Sequence, residues 1–287
     1  MVKSWFPKPI IVSSSLTFLV YLFYNMELKK MKPTSPGIRH SIKIKKNLLS
    51  KGNTFLKSEI ISIKKRSGRS SITGNITVRH KGGGRKKMYR KILKSYENSI
   101  NLIIAILYDS TRNSFISIIF NPKLKKLNFI LTTQNHSVGT VIESGEINSL
   151  TKPGIFLGFD KILTGSLVNS ITFKKKKFTF SRSAGTFAQI IQKTFTEIKL
   201  RLPSGKIILL PSKNGFAAIG IVSNLKQNMI VIGKAGKNRL LGKRPSVRGI
   251  AMNPVDHPHG GRTKGGMAPV SPWGKLTKGV PTKKINK

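Results

Sequence analysis

Three stretches of this sequence gather cations and glycines closely enough to hold phosphate. The first is Arg79-His80-Lys81-Gly82-Gly83-Gly84-Arg85-Lys86-Lys87, which runs on into Tyr89-Arg90-Lys91. Glycines bring backbone amides close to a phosphate with no Cβ in the way, and arginine adds a planar fork matched to phosphate oxygens. No Gly-Lys-Ser/Thr follows at the spacing of a nucleotide-binding phosphate loop, and the bland alternative is a solvated hairpin tip. The second stretch, Ser181-Arg182-Ser183-Ala184-Gly185-Thr186, packs small residues around one arginine, and on its own it reads equally well as a plain β-turn. The third begins at Gly233-Lys234-Ala235-Gly236, passes Arg239, and continues as Gly242-Lys243-Arg244-Pro245-Ser246-Val247-Arg248-Gly249. It then reads Met252-Asn253-Pro254-Val255-Asp256-His257-Pro258-His259-Gly260-Gly261-Arg262 and closes on Pro272-Trp273-Gly274-Lys275. Prolines keep such a chain extended and cations recur every few residues, while Trp273 and the arginine planes offer stacking surfaces for bases.

Asp256, His257 and His259 invite a different chemistry, since a carboxylate beside two imidazoles suits a general base or a metal site. The spacing supplies two nitrogen ligands at most. There are zero cysteines and few other acids to complete a shell, and no Gly-x-Ser-x-Gly nucleophile motif is present. The reading that needs least is structural: the histidines hydrogen-bond or stack on RNA while Asp256 pins a turn. Catalysis is not expected.

The elements that must carry these stretches sit in a chain of 287 residues with 53 Lys+Arg against 9 Asp+Glu, a formal net charge of +44. Such a chain repels itself unless a polyanion neutralises it, and each phosphate neutralised releases condensed counter-ions. Nucleic acid is therefore the expected partner, and an ordinary enzyme is disfavoured. Hydrophobic residues make up 38%, enough for modest cores but not along the whole length. No disulfide or thiolate metal site can form. Overuse of lysine, isoleucine and asparagine, as in Lys43-Ile44-Lys45-Lys46-Asn47 and Phe173-Lys174-Lys175-Lys176-Lys177, fits an A/T-rich genome.

The apolar stretch Ile10–Tyr24 follows Lys3 and Lys8, but it is short and serine-rich for a span that needs about 20 apolar residues. No stable membrane insertion is expected. A targeting segment or a true start at Met26 are the readings kept. Residues 1–66 read as an N-terminal extension and basic arm broken by Lys32-Pro33-Thr34-Ser35-Pro36-Gly37.

Short strands then take over. Ile76 and Val78 alternate with polar neighbours, and the runs Ile100–Tyr108, Phe115–Phe120 and Leu127–Leu131 are separated by Asp109-Ser110 and Asn121-Pro122. A second set comprises Val138–Val141, Ser166–Val168, Phe187–Ile191, Ile198–Leu202 and Ile207–Leu210, with turns at Lys152-Pro153-Gly154, Thr164-Gly165 and Pro203-Ser204-Gly205. Strands at this spacing suggest two small barrels joined near residue 135. The division reads as 67–135 for the first barrel, 136–212 for the second and 213–287 for an extended tail.

Arg79 to Arg85, Ser181 to Thr186, and above all Arg244 to Gly249 with Met252 to Gly261 closely resemble the universal second protein of the large ribosomal subunit, the L-two family. Pro272-Trp273-Gly274 and Lys278-Gly279 resemble the family's ending, and Lys32 to Gly37 its N-terminal arm, so the likeness runs over about residues 26 to 287. It implies an all-β chain: an oligonucleotide-binding-fold barrel, then a Src-homology-three-like barrel, with arm and tail penetrating the large-subunit rRNA. It further implies a structural protein near the peptidyl-transferase centre that supports assembly, subunit association and translation. Its partners would be the rRNA, other ribosomal proteins and the small subunit across an intersubunit bridge. No cofactor is implied beyond Mg2+ carried by the RNA, and the chemistry of peptide transfer belongs to the RNA.

Carried over by position, the rRNA-contacting candidates are Arg79, His80, Lys81, Arg85, Arg182, Lys234, Arg244, Arg248, His257, His259 and Trp273. The same motifs add Gly82, Gly83, Gly84, Arg90, Ser183, Gly185, Gly236, Arg239, Arg262 and Lys275. Two departures stand out. Arg262 replaces a glycine usual in the family and lacks the acidic residue that follows it, and Asn98–Asn135 is more apolar than usual, which suggests altered neighbours there. With the lysine-isoleucine bias, these point to a mitochondrial ribosome, a plastid or bacterial cytoplasm being the alternatives.

Overall fold

The structure, a computed structural model, describes residues 28–46, 49–50, 59–63, 67–93, 99–145, 152–173, 177–213, 215–262 and 267–279. The Ile10–Tyr24 stretch and Met26 lie outside the described residues. Among the described residues no helix is long and apolar enough to cross a membrane.

The chain is nearly all β. In order its strands are β1 (Leu28–Lys30), β2 (Ile42–Ile44), β3 (Ile60–Ile63), β4 (Lys87–Arg90), β5 (Ser99–Leu107), β6 (Ile116–Asn121), β7 (Lys126–Leu131) and β8 (Val141–Ser144). They continue as β9 (Phe156–Gly158), β10 (Leu167–Phe173), β11 (Lys177–Phe180), β12 (Ala188–Lys193), β13 (Glu197–Arg201), β14 (Ile207–Pro211) and β15 (Gly215–Ile219). One short α-helix, α1 (Ala235–Leu240), is described. The three apolar runs of the first set form β5, β6 and β7, because β-branched residues pack well on a pleated surface. Strand β13 shows the simplest pattern: Ile198 and Leu200 are buried while Glu197, Lys199 and Arg201 face out.

Contacts group the chain into two units, one over 1–64 and 86–234, the other over 65–85 and 235–287. In the first unit a single eleven-stranded sheet runs β14-β13-β12-β10-β15-β9-β8-β5-β6-β7, with β11 beside β10. Its two halves have separate cores. Leu157, Phe159, Ile162, Val168, Ile171, Ile190, Ile198 and Leu200 fill the second. Strands β5 to β7 bury residues on both faces, Ile118 and Phe129 on one, Ile103, Ile119 and Ile130 on the other.

The halves meet later than the sequence suggested. Residues 138–141 were expected to open the second set, but β8 pairs antiparallel with β5 from Ser99↔Ser144 to Leu102↔Val141. The break near 135 is a turn inside the first half: Asn135 has φ 70° and Gly139 φ 87°, and Gly139 N–H donates to Ile103 O at 2.8 Å. The halves join through the parallel bridge Ser144↔Phe156, the antiparallel bridge Thr133↔Val222, and a small apolar seam in which Ile92 and Leu131 meet Phe156 and Ala218.

Two further expectations change. The basic arm carries structure, since β1 and β2 pair as a hairpin around the Lys32–Gly37 turn and fully bury Ser41. Ile76 and Val78 form no strand; a single Arg69↔Ile76 bridge closes a tight turn and leaves both apolar side chains about half exposed. Alternation over five residues is too short to hold a strand without a facing partner.

Candidate nucleic-acid interface

In the unit formed by 65–85 and 235–287, the basic-glycine loop is clasped by the tail. Gly82 N–H donates to Gly242 O at 2.9 Å, Arg85 N–H to Leu240 O at 2.8 Å, and Arg244 N–H to His80 O at 3.0 Å. Lys81 and Lys243 bridge antiparallel between them. Gly84 takes φ 66°, and a Cβ on it would lie 2.9 Å from both Gly242 N and Leu240 O. The close approach these glycines allow is thus to the chain's own tail. Gly83 remains exposed, and the amides of Gly83 and Gly84 have no partner among the described residues. Free amides in sequence with Lys81 and Arg85, on a loop clasped beside Arg244, are donors of the kind that can take a phosphate oxygen.

The rest of that unit is tied by its own backbone. Trp273 is 74% exposed and lies under the Arg79 guanidinium, 5.7 Å from its ring centre. This holds the ring in place and leaves it free to stack. Ser271 anchors the turn that carries it, its hydroxyl accepting Lys275 N–H at 3.1 Å, and Lys275 is exposed.

The histidines hold the loop from inside. His257 is buried, and its Nδ1 accepts the His259 N–H at 3.0 Å, which places the neutral ring's proton on Nε2. The two rings lie 4.9 Å apart, and His259 Nε2 is 3.0 Å from Ala268 O. Gly249 makes room for this, as a Cβ there would stand 2.6 Å from the His257 ring. The turn is therefore pinned by His257, whereas Asp256 is exposed and joins it only by its backbone N–H, bonded to Asn253 O at 3.0 Å. Among the described residues no carboxylate orients either imidazole and no three metal-ligating side chains come together.

The other unit places its candidates differently. At the Ser181–Thr186 turn, Gly185 (φ 70°) packs against the Leu225 backbone and donates to Val222 O at 3.2 Å, leaving Arg182 and Ser183 outward. Lys234 is exposed next to Gly37 of the arm hairpin. Arg90 does not project outward. Its Nη1 donates to Tyr108 O and to the fully buried Asp109, both at 3.2 Å. Arg112 reaches the second oxygen of the same carboxylate at 2.6 Å and lies 4.9 Å from the Tyr89 ring centre. Arg90 was read as a phosphate ligand because it continues a basic run; burial of Asp109 draws its charge inward instead.

Six arginine candidates stay free among the described residues. Arg85, Arg182, Arg239, Arg244, Arg248 and Arg262 are exposed, and their guanidinium groups meet no carboxylate or hydrogen-bond partner among the described residues. Gly236, in α1, is likewise open, with nothing within 4 Å of where its Cβ would be.

Sequence reasoning missed one residue that matters for the fold. His136 sits where the two halves of the sheet meet, between Thr133 and Pro153. Burial pushes its pKa down to about 4, against a smaller upward pull from the Pro153 carbonyl. Nothing around it in sequence marks it out; the returning chain at Pro153 and Gly154 encloses it.

A nearly all-β chain with a surplus of outward arginines and a glycine loop clasped by its own tail fits a nucleic-acid-binding protein. The comparisons make this specific. The family model for the RNA-binding N-terminal domain of ribosomal proteins L2 matches residues 57–144, and that for their C-terminal domain matches 152–274. The large ribosomal subunit protein uL2 of Wolbachia pipientis subsp. Culex pipiens is 40% identical over 267 residues, 91% of this chain and 96% of that protein. Its counterpart in Maricaulis maris is 40% identical over 90% of this chain and 94% of its own. The protein named uL2m in Reclinomonas americana is 41% identical over 270 residues, 91% of this chain and 95% of that one. This chain belongs to the ribosomal protein L2 family.

Proposed function

We propose that this chain is a structural constituent of the large ribosomal subunit. It binds large-subunit rRNA near the peptidyl-transferase centre and supports assembly, subunit association across an intersubunit bridge, and translation. The observation that carries the reading is the clasp of residues 80–85 by 240–244, which exposes free amides and unpaired arginines on one scaffold. In water those arginines repel each other; against phosphates each contact releases counter-ions, so binding is strong and falls steeply with salt. Phosphate contacts of this kind set position, while Trp273 and the arginine planes add stacking.

The chain acts without catalysis and without a cofactor of its own, Mg2+ entering only with the RNA. The buried, backbone-bonded His257 supports this, because a general base must reach a substrate proton. A mitochondrial ribosome is the proposed home, in keeping with the uL2m relative and the lysine-isoleucine bias. The bacterial relatives are equally similar, so plastid and bacterial ribosomes are the competing outcomes of the test.

That test is sucrose-gradient fractionation of purified mitochondria with mass spectrometry, at low and high magnesium. The chain is expected to peak with the large subunit and the monosome. Absence from mitochondria with presence in other ribosomes overturns the location alone. A position at the top of the gradient, or in membranes, overturns the ribosomal role.

A further inference from the structure

The eleven-stranded sheet ends on β7 at one side and β14 at the other. The β7 side is partly covered, since Leu93 N–H donates to Phe129 O at 2.8 Å and Ile92 bridges Phe129 in parallel. The outer edge of β14 has no partner among the described residues. The register fixes what that edge offers. Leu202 N–H donates to Lys206 O at 2.9 Å and Ser212 N–H to Thr196 O at 2.8 Å, so the even-numbered residues of this hairpin make its hydrogen-bonded pairs. Ile207 and Leu209 therefore point both N–H and C=O away from β13, and Pro211, with no N–H, ends the row of donors.

Side chains complete the edge. Ile207 and Leu209 stand on the outer face, 55% and 57% exposed, while Ile208 and Leu210 turn onto the barrel core. Across the ladder they lie beside Arg201 and Lys199. Lys206 opens the strand, and Lys213 follows it with its Nζ 5.3 Å from the ring centre of Phe195, itself 84% exposed. One acid, Glu197, faces Pro211 at the far end. A lysine and a proline are devices that guard open edges. Here they bound the edge rather than fill it, and between them lie two apolar residues with free amides.

Alternating amide donors and carbonyl acceptors at strand spacing are matched by another polypeptide strand. A nucleic-acid backbone supplies mainly acceptors, and the apolar side chains would gain nothing from it. We propose that β14 receives an extended strand of another large-subunit protein, one that places apolar residues on Ile207 and Leu209 and acidic residues near Lys206 and Lys213. The proposal rests on the ribosomal reading above.

The test uses assembled large subunits carrying wild-type chain, Leu209→Pro or Leu209→Thr, with incorporation of each measured first. Leu209→Pro deletes a donor that points outward and leaves the bonds to β13 intact, and Leu209→Thr keeps the donor but strips the apolar contact. Carboxyl-to-amine cross-linking of wild-type subunits should join Lys206 or Lys213 to acidic residues in one stretch of one neighbouring protein. Both variants should incorporate and lose that cross-link at least tenfold. Loss with Leu209→Thr alone, cross-links unchanged in both variants, ultraviolet cross-links from this strand to rRNA, or no protein cross-link at either lysine would each overturn the proposal. If wild-type chain is missing from the subunit altogether, the ribosomal reading falls and this one with it.

Discussion

Gly84 and Gly242 lie back to back, so that a Cβ on Gly84 would sit 2.9 Å from the Gly242 nitrogen. Two segments more than 150 positions apart in sequence thus meet at the one residue type that permits it. Gly84→Ala must abandon a left-handed φ of 66° as well as clear the Gly242 and Leu240 backbone. The strained backbone alone costs about 1–3 kcal/mol. Gly74→Ala is the matched control, for Gly74 has φ 68° but nothing within 4 Å of its missing Cβ. In competition for incorporation into large subunits, wild type should lead Gly74→Ala, and Gly74→Ala should lead Gly84→Ala. Equal ranking of the two variants would show that the clasp does not form.

Arg244 tests the binding surface that the clasp presents. Its aliphatic stem lies against Gly82, where a Cβ would come within 3.1 Å of Cγ, so the guanidinium starts from a fixed base. Arg244→Ala should weaken rRNA binding by about 1–3 kcal/mol, and Arg248→Ala by a similar amount. If the contact is to phosphate, the slope of log affinity against log salt should flatten by about one for each variant. Titrations of an rRNA fragment across a range of KCl read both quantities together. Wild-type affinity in the two variants would remove these residues from the interface.

Arg90 should behave in the opposite way, through stability and not through RNA. Asp109 is fully buried and takes hydrogen bonds from Arg90, Arg112 and Thr111. Removing one partner of a buried charge cluster costs up to about 3–5 kcal/mol; Asp109→Ala takes the carboxylate from both arginines, and Arg90→Ala leaves Arg112 alone to offset the Asp109 charge. Arg90→Ala and Asp109→Ala should therefore lower the urea midpoint of the protein in high salt, while the salt slope of rRNA binding stays where it was. A changed slope with an unchanged midpoint would return Arg90 to the RNA surface.

These contrasts show what the sequence disclosed and where it stopped. The apolar runs from Ile100 to Leu131 and the glycine turns at Gly154, Gly165 and Gly205 were legible because each signal is local: β-branched periodicity for a strand, positive φ for a turn. Strands β9, β11 and β15 went unread, being short and recognisable only by the partners they pair with. The glycine loop was read as a place where a phosphate approaches closely; the group that the structure brings there is residues 240–244, too far along the chain for any local pattern to name. Arg90 and His257 are the same lesson in charge and burial. Each looked like a surface contact because of its neighbours in sequence, and each is turned inward by a partner that only the fold supplies.

His136 gives a prediction about pH whose sign follows from its bonds. Its Nδ1 accepts Thr133 N–H, and its Nε2 lies 3.4 Å from Pro153 O, so the neutral ring with its proton on Nε2 satisfies both. A second proton would have to go on Nδ1, facing an N–H, in a site already poor in water; the pKa accordingly falls to about 4. The unfolded chain, with an ordinary imidazole near 6.5, takes up that proton first as pH drops. Stability from this residue is therefore full above about pH 6.5 and is lost on the way down to about pH 4, by at most about 3 kcal/mol. The informative quantity is the difference between wild type and His136→Gln, which cancels every titration the two proteins share. Urea midpoints should converge as pH is lowered from about 7 to about 5, the wild type losing more than the variant. Parallel curves would mean that His136 is hydrated in the folded protein and that the seam between the two halves of the sheet is open to water.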